Sequence, residues 1–136
     1  MSVWEPRMLS ILRIMTGLLF MEHGMSKLFN YPPGNLHPSF LTLLWFAGVL
    51  ECFGGALVVL GLFTRVVAFL LSGEMAIAYF MVHAPQGFFP LLNHGEAAVL
   101  YCFVFLYLCF AGGGEWSLDR LRGSVAEKRT QAHSSV

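Results

Sequence analysis

Apolar residues run along the chain in four blocks of about 20 residues, and each block is broken by one or more ionisable groups. Wound as a helix, about 20 apolar residues match the roughly 30 Å hydrocarbon core of a bilayer. The pattern therefore predicts four spans, at about residues 8–29, 40–63, 64–83 and 95–112. From Asn30 to Ser39, Pro32, Pro33, Gly34 and Pro38 end the first helix and shape a loop. Gly61 to Arg65 leaves room only for a tight turn, which makes the second and third spans an antiparallel hairpin. Pro85, Gly87, Pro90 and Gly95 mark the third loop. The expected fold is an all-α integral membrane four-helix bundle.

The first block sets the terms for the others, because it carries Arg13, Glu22, His23 and Lys27. A charge at membrane depth costs several kcal/mol unless it is paired or wetted. At about 100° per residue, Arg13, Gly17, Phe20, Gly24 and Lys27 fall on one stripe, with Thr16 and His23 at its edge. That stripe has to face protein. The second span offers Ala47, Gly48, Gly54, Gly55 and Val58 around Glu51, small residues that let helices approach closely in lipid. The third carries Glu74 with Val67, Leu71, Ala78 and Met81. The fourth carries Glu96 with Leu100, Phe103 and Tyr107.

Composition agrees with this pattern. Of the 136 residues 57% are hydrophobic and 12% charged, against about a quarter charged in a soluble domain. A net charge of +0 and the lack of a basic-aromatic patch argue against a nucleic-acid partner. Arg13 splits the apolar region of the N-terminal segment and no small-x-small site precedes Glu22, so the segment reads as a retained span, not a signal peptide. Arg7, Arg65, Arg120, Arg122, Lys128 and Arg129 fall on one side of the predicted spans, whereas the other side has only Lys27 at its edge. Lys and Arg concentrate in cytoplasmic loops, so both termini are expected in the cytoplasm of a cell-membrane, multi-pass protein. Residues 115–122 read as an interfacial turn, with Trp116 at headgroup level and its arginines at anionic lipid. Residues 124–136 read as a disordered cytoplasmic tail following a membrane domain of residues 1–123. Cys52, Cys102 and Cys109 lie within apolar runs without a C-x-x-C motif and read as buried inert thiols.

The candidate chemistry is a ladder of polar groups. Taking about 1.5 Å per residue, Glu51 and Glu74 land near the midplane and Arg13 roughly 7–8 Å to the cytoplasmic side, within reach of Glu51. Glu22 and His23 lie outward of the midplane. Lys27, His83, His94 and Glu96 collect at an outer mouth. Two carboxylates at one depth share a proton or a cation. A plainer reading has Arg13 and Glu51 as a buried pair that fixes helix register. Metal ranks lower: no Glu-x-x-His pair occurs, and convergence of His23, His83 and His94 on an ion is not readable from spacing.

Several segments together resemble the DoxX family of small four-helix membrane proteins. They are His23-Gly24 with Lys27-Leu28-Phe29, Leu50-Glu51 with Gly54-Gly55, Leu60-Gly61-Leu62 with Thr64-Arg65, Gly95-Glu96, and Trp116-Ser117-Leu118-Asp119. The likeness runs in order from about Arg13 to Arg120. It implies the fold and the membrane placement and, through the thiosulfate:quinone oxidoreductase component for which the family is named, a redox role. Glu22 and Glu74 stand where the family pattern is not usually acidic, and added negative charge disfavours an anion such as thiosulfate. The resulting expectation is a subunit of a quinone-linked or sulfur-compound redox system. Its polar-pocket and proton-path residues would be Arg13, His23, Lys27, Glu51, Glu74 and Glu96. Its quinone pocket would be lined by Tyr101, Phe103 and Tyr107. No haem, flavin or iron–sulfur motif is visible, so the electron carrier would be quinone or a redox partner's cofactor. Membrane lipid and a second copy of the chain are further expected partners. A proton-coupled carrier of a small solute and a non-catalytic scaffold are the competing readings.

Overall fold

The computed structural model of the chain describes residues 4–35 and 37–134, and among these every regular element is a helix. In order they are α1 (Glu5–Phe29), α2 (Leu43–Leu60), α3 (Thr64–Ala78), α4 (Pro90–Asn93), α5 (Glu96–Ala111) and α6 (Leu118–Ser134). A π-helical turn, Tyr79–His83, and a 3-10 turn, Ala84–Gln86, prolong α3. Leu43–Leu60 and Thr64–Gln86 are long and apolar enough to cross a membrane, and α5 is a shorter apolar helix. The second span is shorter than the hydropathy block because its ends are capped. Thr42 Oγ1 accepts from the Trp45 amide at the start, and Gly61, left-handed at φ 67°, donates its amide to Leu57 and Val58 at the end.

α1 lies along α2, α3 along α5, and thinner contacts join α2 to α3 and α1 to α5. The α1–α2 seam is built from glycine, as the small-residue pattern predicted. A Cβ placed on Gly24 would sit 2.3 Å from the Cys52 nitrogen and 2.7 Å from the Gly48 oxygen. One placed on Gly17 would sit 3.0 Å from the Gly55 oxygen. At Gly17, Gly24 and Gly55 backbone comes close to backbone. The buried face of α1 is Ser10, Arg13, Thr16, Gly17, Phe20 and Gly24. It keeps Arg13, Gly17, Phe20 and Gly24 of the expected stripe with Thr16 from its edge and adds Ser10, while Lys27 is half-buried and His23 exposed. The apolar core is small: Phe20, Val58, Val67, Ala68, Leu71, Met75, Ala98, Phe105 and Leu108. Around it Met15, Leu18, Phe46, Phe53, Phe69, Phe103 and Phe110 stand exposed. A large apolar exterior of this kind calls for lipid or a partner to cover it.

One end of the helices is clasped by the segment after α5. The Glu115 amide donates to the Pro6 carbonyl, and Ser10 Oγ accepts from the Trp116 amide. Asp119 accepts from the Phe63 and Thr64 amides, both at 2.8 Å, and so caps the start of α3. Arg13 is the hub. Its guanidinium, fully buried, donates to the carbonyls of Gly113 (2.8 Å) and Trp116 (2.6 Å) and to those of Val58 and Val59. The expected Arg13–Glu51 pair is thereby corrected. Val58 lies about two turns along α2 from Glu51, roughly 10 Å, and the nearer carbonyls in the last turn of α2 take the guanidinium. The polar segment from Ser124 onward, expected to be disordered, continues α6 to Ser134, with residues 121–127 all exposed. Residues 1–3 of the expected domain and 135–136 of the expected tail lie outside the described residues.

Candidate functional site

Beyond the contact between Gly54 and Leu71, where a Cβ on the glycine would come 2.8 Å from a leucine methyl, α2 and α3 leave a cleft between them. Its volume is about 680 Å³. One wall is the first half of α2, including Phe46, Ala47 and Leu50; the other runs along α3 through Phe69, Leu70 and Ile77 to Met81 in the π-helical turn. Most of these side chains are also exposed on the outside of the molecule, so the cleft opens sideways.

Three ionisable groups sit in this apolar setting. Lys27 comes from the last turn of α1, Glu51 from mid-α2 and Glu74 from late α3. Lys27 Nζ donates to Glu51 Oε1 at 2.6 Å, and the two side chains are 17% and 4% exposed. Gly48 permits this geometry, since its missing Cβ would lie 3.1 Å from the Lys27 Cβ. The pair leaves Glu51 Oε2 buried without a hydrogen-bond partner, as are both oxygens of Glu74. Buried acceptors without donors are rare and cost about 1–3 kcal/mol each. One ammonium and two carboxyls balance when a single proton resides on either carboxyl. The arrangement can therefore donate to, accept from, or exchange a proton with a polar group entering the cleft.

Of the residues singled out from the sequence, the fold brings together Lys27, Glu51 and Glu74. Lys27 pairs with Glu51 across the α1–α2 seam, and Glu96 stands exposed on α5. Arg13 belongs to the clasp. His23 is exposed and sets its ring edge-on to Tyr101 at 5.9 Å. His83 Nδ1 makes a hydrogen bond to the Asn93 carbonyl, while His94 and Glu96 are exposed. The outer mouth is therefore not one cluster. Among the described residues no three His, Cys, Asp or Glu side chains come together as a metal site.

The expected pocket of Tyr101, Phe103 and Tyr107 does not form. Tyr101 packs inward, 5.2 Å from Phe20 and 6.0 Å from Phe105 between ring centroids. Phe103 and Tyr107, with Leu100 and Glu96, form the outward face of α5. The helix is apolar on every side, so no stripe marks its inner face. Two structural residues had no role assigned from sequence. Asn93, fully buried, donates to the Gly87 carbonyl and accepts from the Gly95 amide, and Asp119 caps α3. The turn residues around Asn93 were the available signal for the first.

Helices with an apolar exterior, two of them long and apolar enough to cross a membrane, define a class: a helical membrane protein. The chain belongs to the DoxX family, whose model matches residues 8–84. The Trp116–Asp119 part of the clasp lies beyond that match. The chain is 44% identical over 122 residues to an uncharacterized protein of Haemophilus influenzae, covering 85% of this chain and 91% of the relative. It is 32% identical over 133 residues to an uncharacterized membrane protein of Mycobacterium tuberculosis, covering 85% and 81%. A Bacillus subtilis protein named "Putative oxidoreductase CatD" is 29% identical over 116 residues, covering 80% and 82%. No solved structure matches significantly.

Proposed function

We propose that this protein is a membrane subunit of a quinone-linked redox system, a four-span bundle with both termini in the cytoplasm. Its side cleft would take a lipophilic quinone directly from the bilayer. The observation that supports this is the junction of an apolar, laterally open cleft with Lys27, Glu51 and Glu74 and their three unpartnered oxygens. A carrier for a water-soluble solute needs an approach from water. The rim of Phe46, Leu50, Phe69 and Ile77 instead suits a ligand with an apolar body and a small polar head. This site replaces the aromatic face of α5 as the quinone pocket.

A quinone, when bound, would supply two-electron, two-proton chemistry. The remaining Lys27 protons are free to donate to a carbonyl oxygen, while Glu51 holds the ammonium in place. Glu74 and the free oxygen of Glu51 can each accept a hydroxyl proton. The walls exclude water, which strengthens each of these interactions. Electrons would leave through a partner protein. The name of the Bacillus subtilis relative points to the same class of chemistry.

Lipid-extract mass spectrometry of the gently purified protein tests this. The wild type should retain quinone above the level of an unrelated membrane protein. Glu74→Gln, which removes no contact within the protein, should lose most of it while keeping its phospholipid. Equal quinone in both proteins, or none above background in the wild type, would overturn the reading. Solute flux in proteoliposomes that Glu74→Gln abolishes, without retained quinone, would establish a carrier instead.

A further inference from the structure

We propose a second site, at the clasped end, that seats the phosphate of an anionic phospholipid between Arg65 and Arg120. Five arginines with described side chains lie at this end, and three are committed. Arg7 Nε bonds Glu115 at 3.1 Å, Arg13 is buried among carbonyls, and Arg122 stacks over the Phe63 ring at 4.8 Å. The side chains of Arg65 and Arg120 have no ion pair, hydrogen bond or ring partner among the described residues, the Arg120 amide alone donating to Ser117 Oγ. These two line one cavity of about 550 Å³.

The cavity is built for a head and a tail. Its floor is the backbone of Gly112 to Gly114, and the Arg65 guanidinium lies against it, with Nε and Nη2 each 3.5 Å from where a Gly112 Cβ would be. Gly112 has φ 85°, so the position favours glycine for its backbone as well. Leu9, Val66 and Ala111 supply apolar walls. Val66 leads on to Phe69 and Leu70, exposed on the flank of α3, along which an acyl chain can lie. The start of α3 does not compete for the anion, since Asp119 already holds the Phe63 and Thr64 amides. Recognition falls to the two guanidinium groups, whose planar donor forks match phosphate oxygens. Helix ends of a membrane protein lie at the depth of lipid phosphates, which favours a lipid over a soluble anion.

Native mass spectrometry of the full chain, exchanged against dioleoyl-phosphatidylglycerol and dioleoyl-phosphatidylcholine in mixed micelles, reads the site directly. Wild-type protein should retain phosphatidylglycerol preferentially. Arg65→Gln with Arg120→Gln should weaken it about thirtyfold, from about a factor of five per basic residue near a lipid surface. Arg122→Gln should stay within about threefold of wild type. The double variant should melt with the wild type, because neither side chain has a partner to lose. No lipid preference in the wild type, or an equal loss in Arg122→Gln, would overturn the site as a specific one. Displacement of the lipid by millimolar inorganic phosphate would overturn the lipid assignment and leave a free-phosphate site.

Discussion

Replacing Lys27 by Met isolates the interaction on which the cleft rests. The ammonium is 2.6 Å from Glu51 Oε1, and the carboxylate is 4% exposed. At an effective dielectric near 20 the gross attraction at that distance is about 6 kcal/mol, much of it offset by desolvation. The larger effect is what the substitution leaves behind: a buried carboxylate without its cation, in a cleft that also holds Glu74. Losing one partner of such a pair costs about 3–5 kcal/mol, or a fall in melting temperature on the order of 10 °C. Size-exclusion recovery after heating in mild detergent measures this for Lys27→Met, Glu51→Leu and the double variant. The double variant should regain most of the loss, since two apolar side chains can fill a desolvated site, and it should still fail to retain quinone. A Lys27→Met cost below about 1 kcal/mol, or strictly additive single effects, would refute the buried pair as an energetic unit.

Other outcomes follow from the seam, the clasp and the topology. Arg13→Lys should cost about 3 kcal/mol or more, because one ammonium cannot serve the carbonyls of Gly113, Val58, Val59 and Trp116; combined with Glu51→Gln the two effects should add in thermal melts. Gly24→Ala should cost about 3 kcal/mol or more by forcing a methyl into the Cys52 backbone, whereas Gly73→Ala, with nothing within 4 Å, should stay within about 1 kcal/mol. For Asp119, burial alone would raise the carboxyl, but the Thr64 and Phe63 amides and the Arg122 charge outweigh it and hold it below its usual range. Its stabilisation is therefore present above the unfolded value near pH 4 and fades as pH falls through the lower folded value. Asp119→Asn should cost about 1 kcal/mol at pH 7 and flatten the acid limb of the stability profile. Reporter fusions at Asn35 and Gln86 should read as external; a cytoplasmic signal at either would reverse the orientation.

Periodicity and residue size determined much of this molecule before any tertiary contact. The 3.6-residue repeat of Arg13, Gly17, Phe20 and Gly24 names most of the buried face of α1, and Gly48, Gly55 and Glu51 name that of α2. Both follow because a helix must turn its small and polar residues away from lipid. The same rule misled for α5, apolar all round: the face of Glu96, Leu100, Phe103 and Tyr107 read from the sequence turns outward, and packing alone sets Phe105 and Leu108 inside. Partner choice was likewise beyond the sequence. Depth along straight helices placed Arg13 within reach of Glu51 and Lys27 near Glu96, but depth is one coordinate. Azimuth and interhelical distance decide which donor meets which acceptor. The glycine seam draws Lys27 onto Glu51, the free carbonyls after Gly112 draw Arg13 to the clasp, and the divergence of α2 from α3 opens a cleft around Glu74. That divergence is a property of two helix axes, set by the neighbours that hold each one, and no local stretch of residues encodes it.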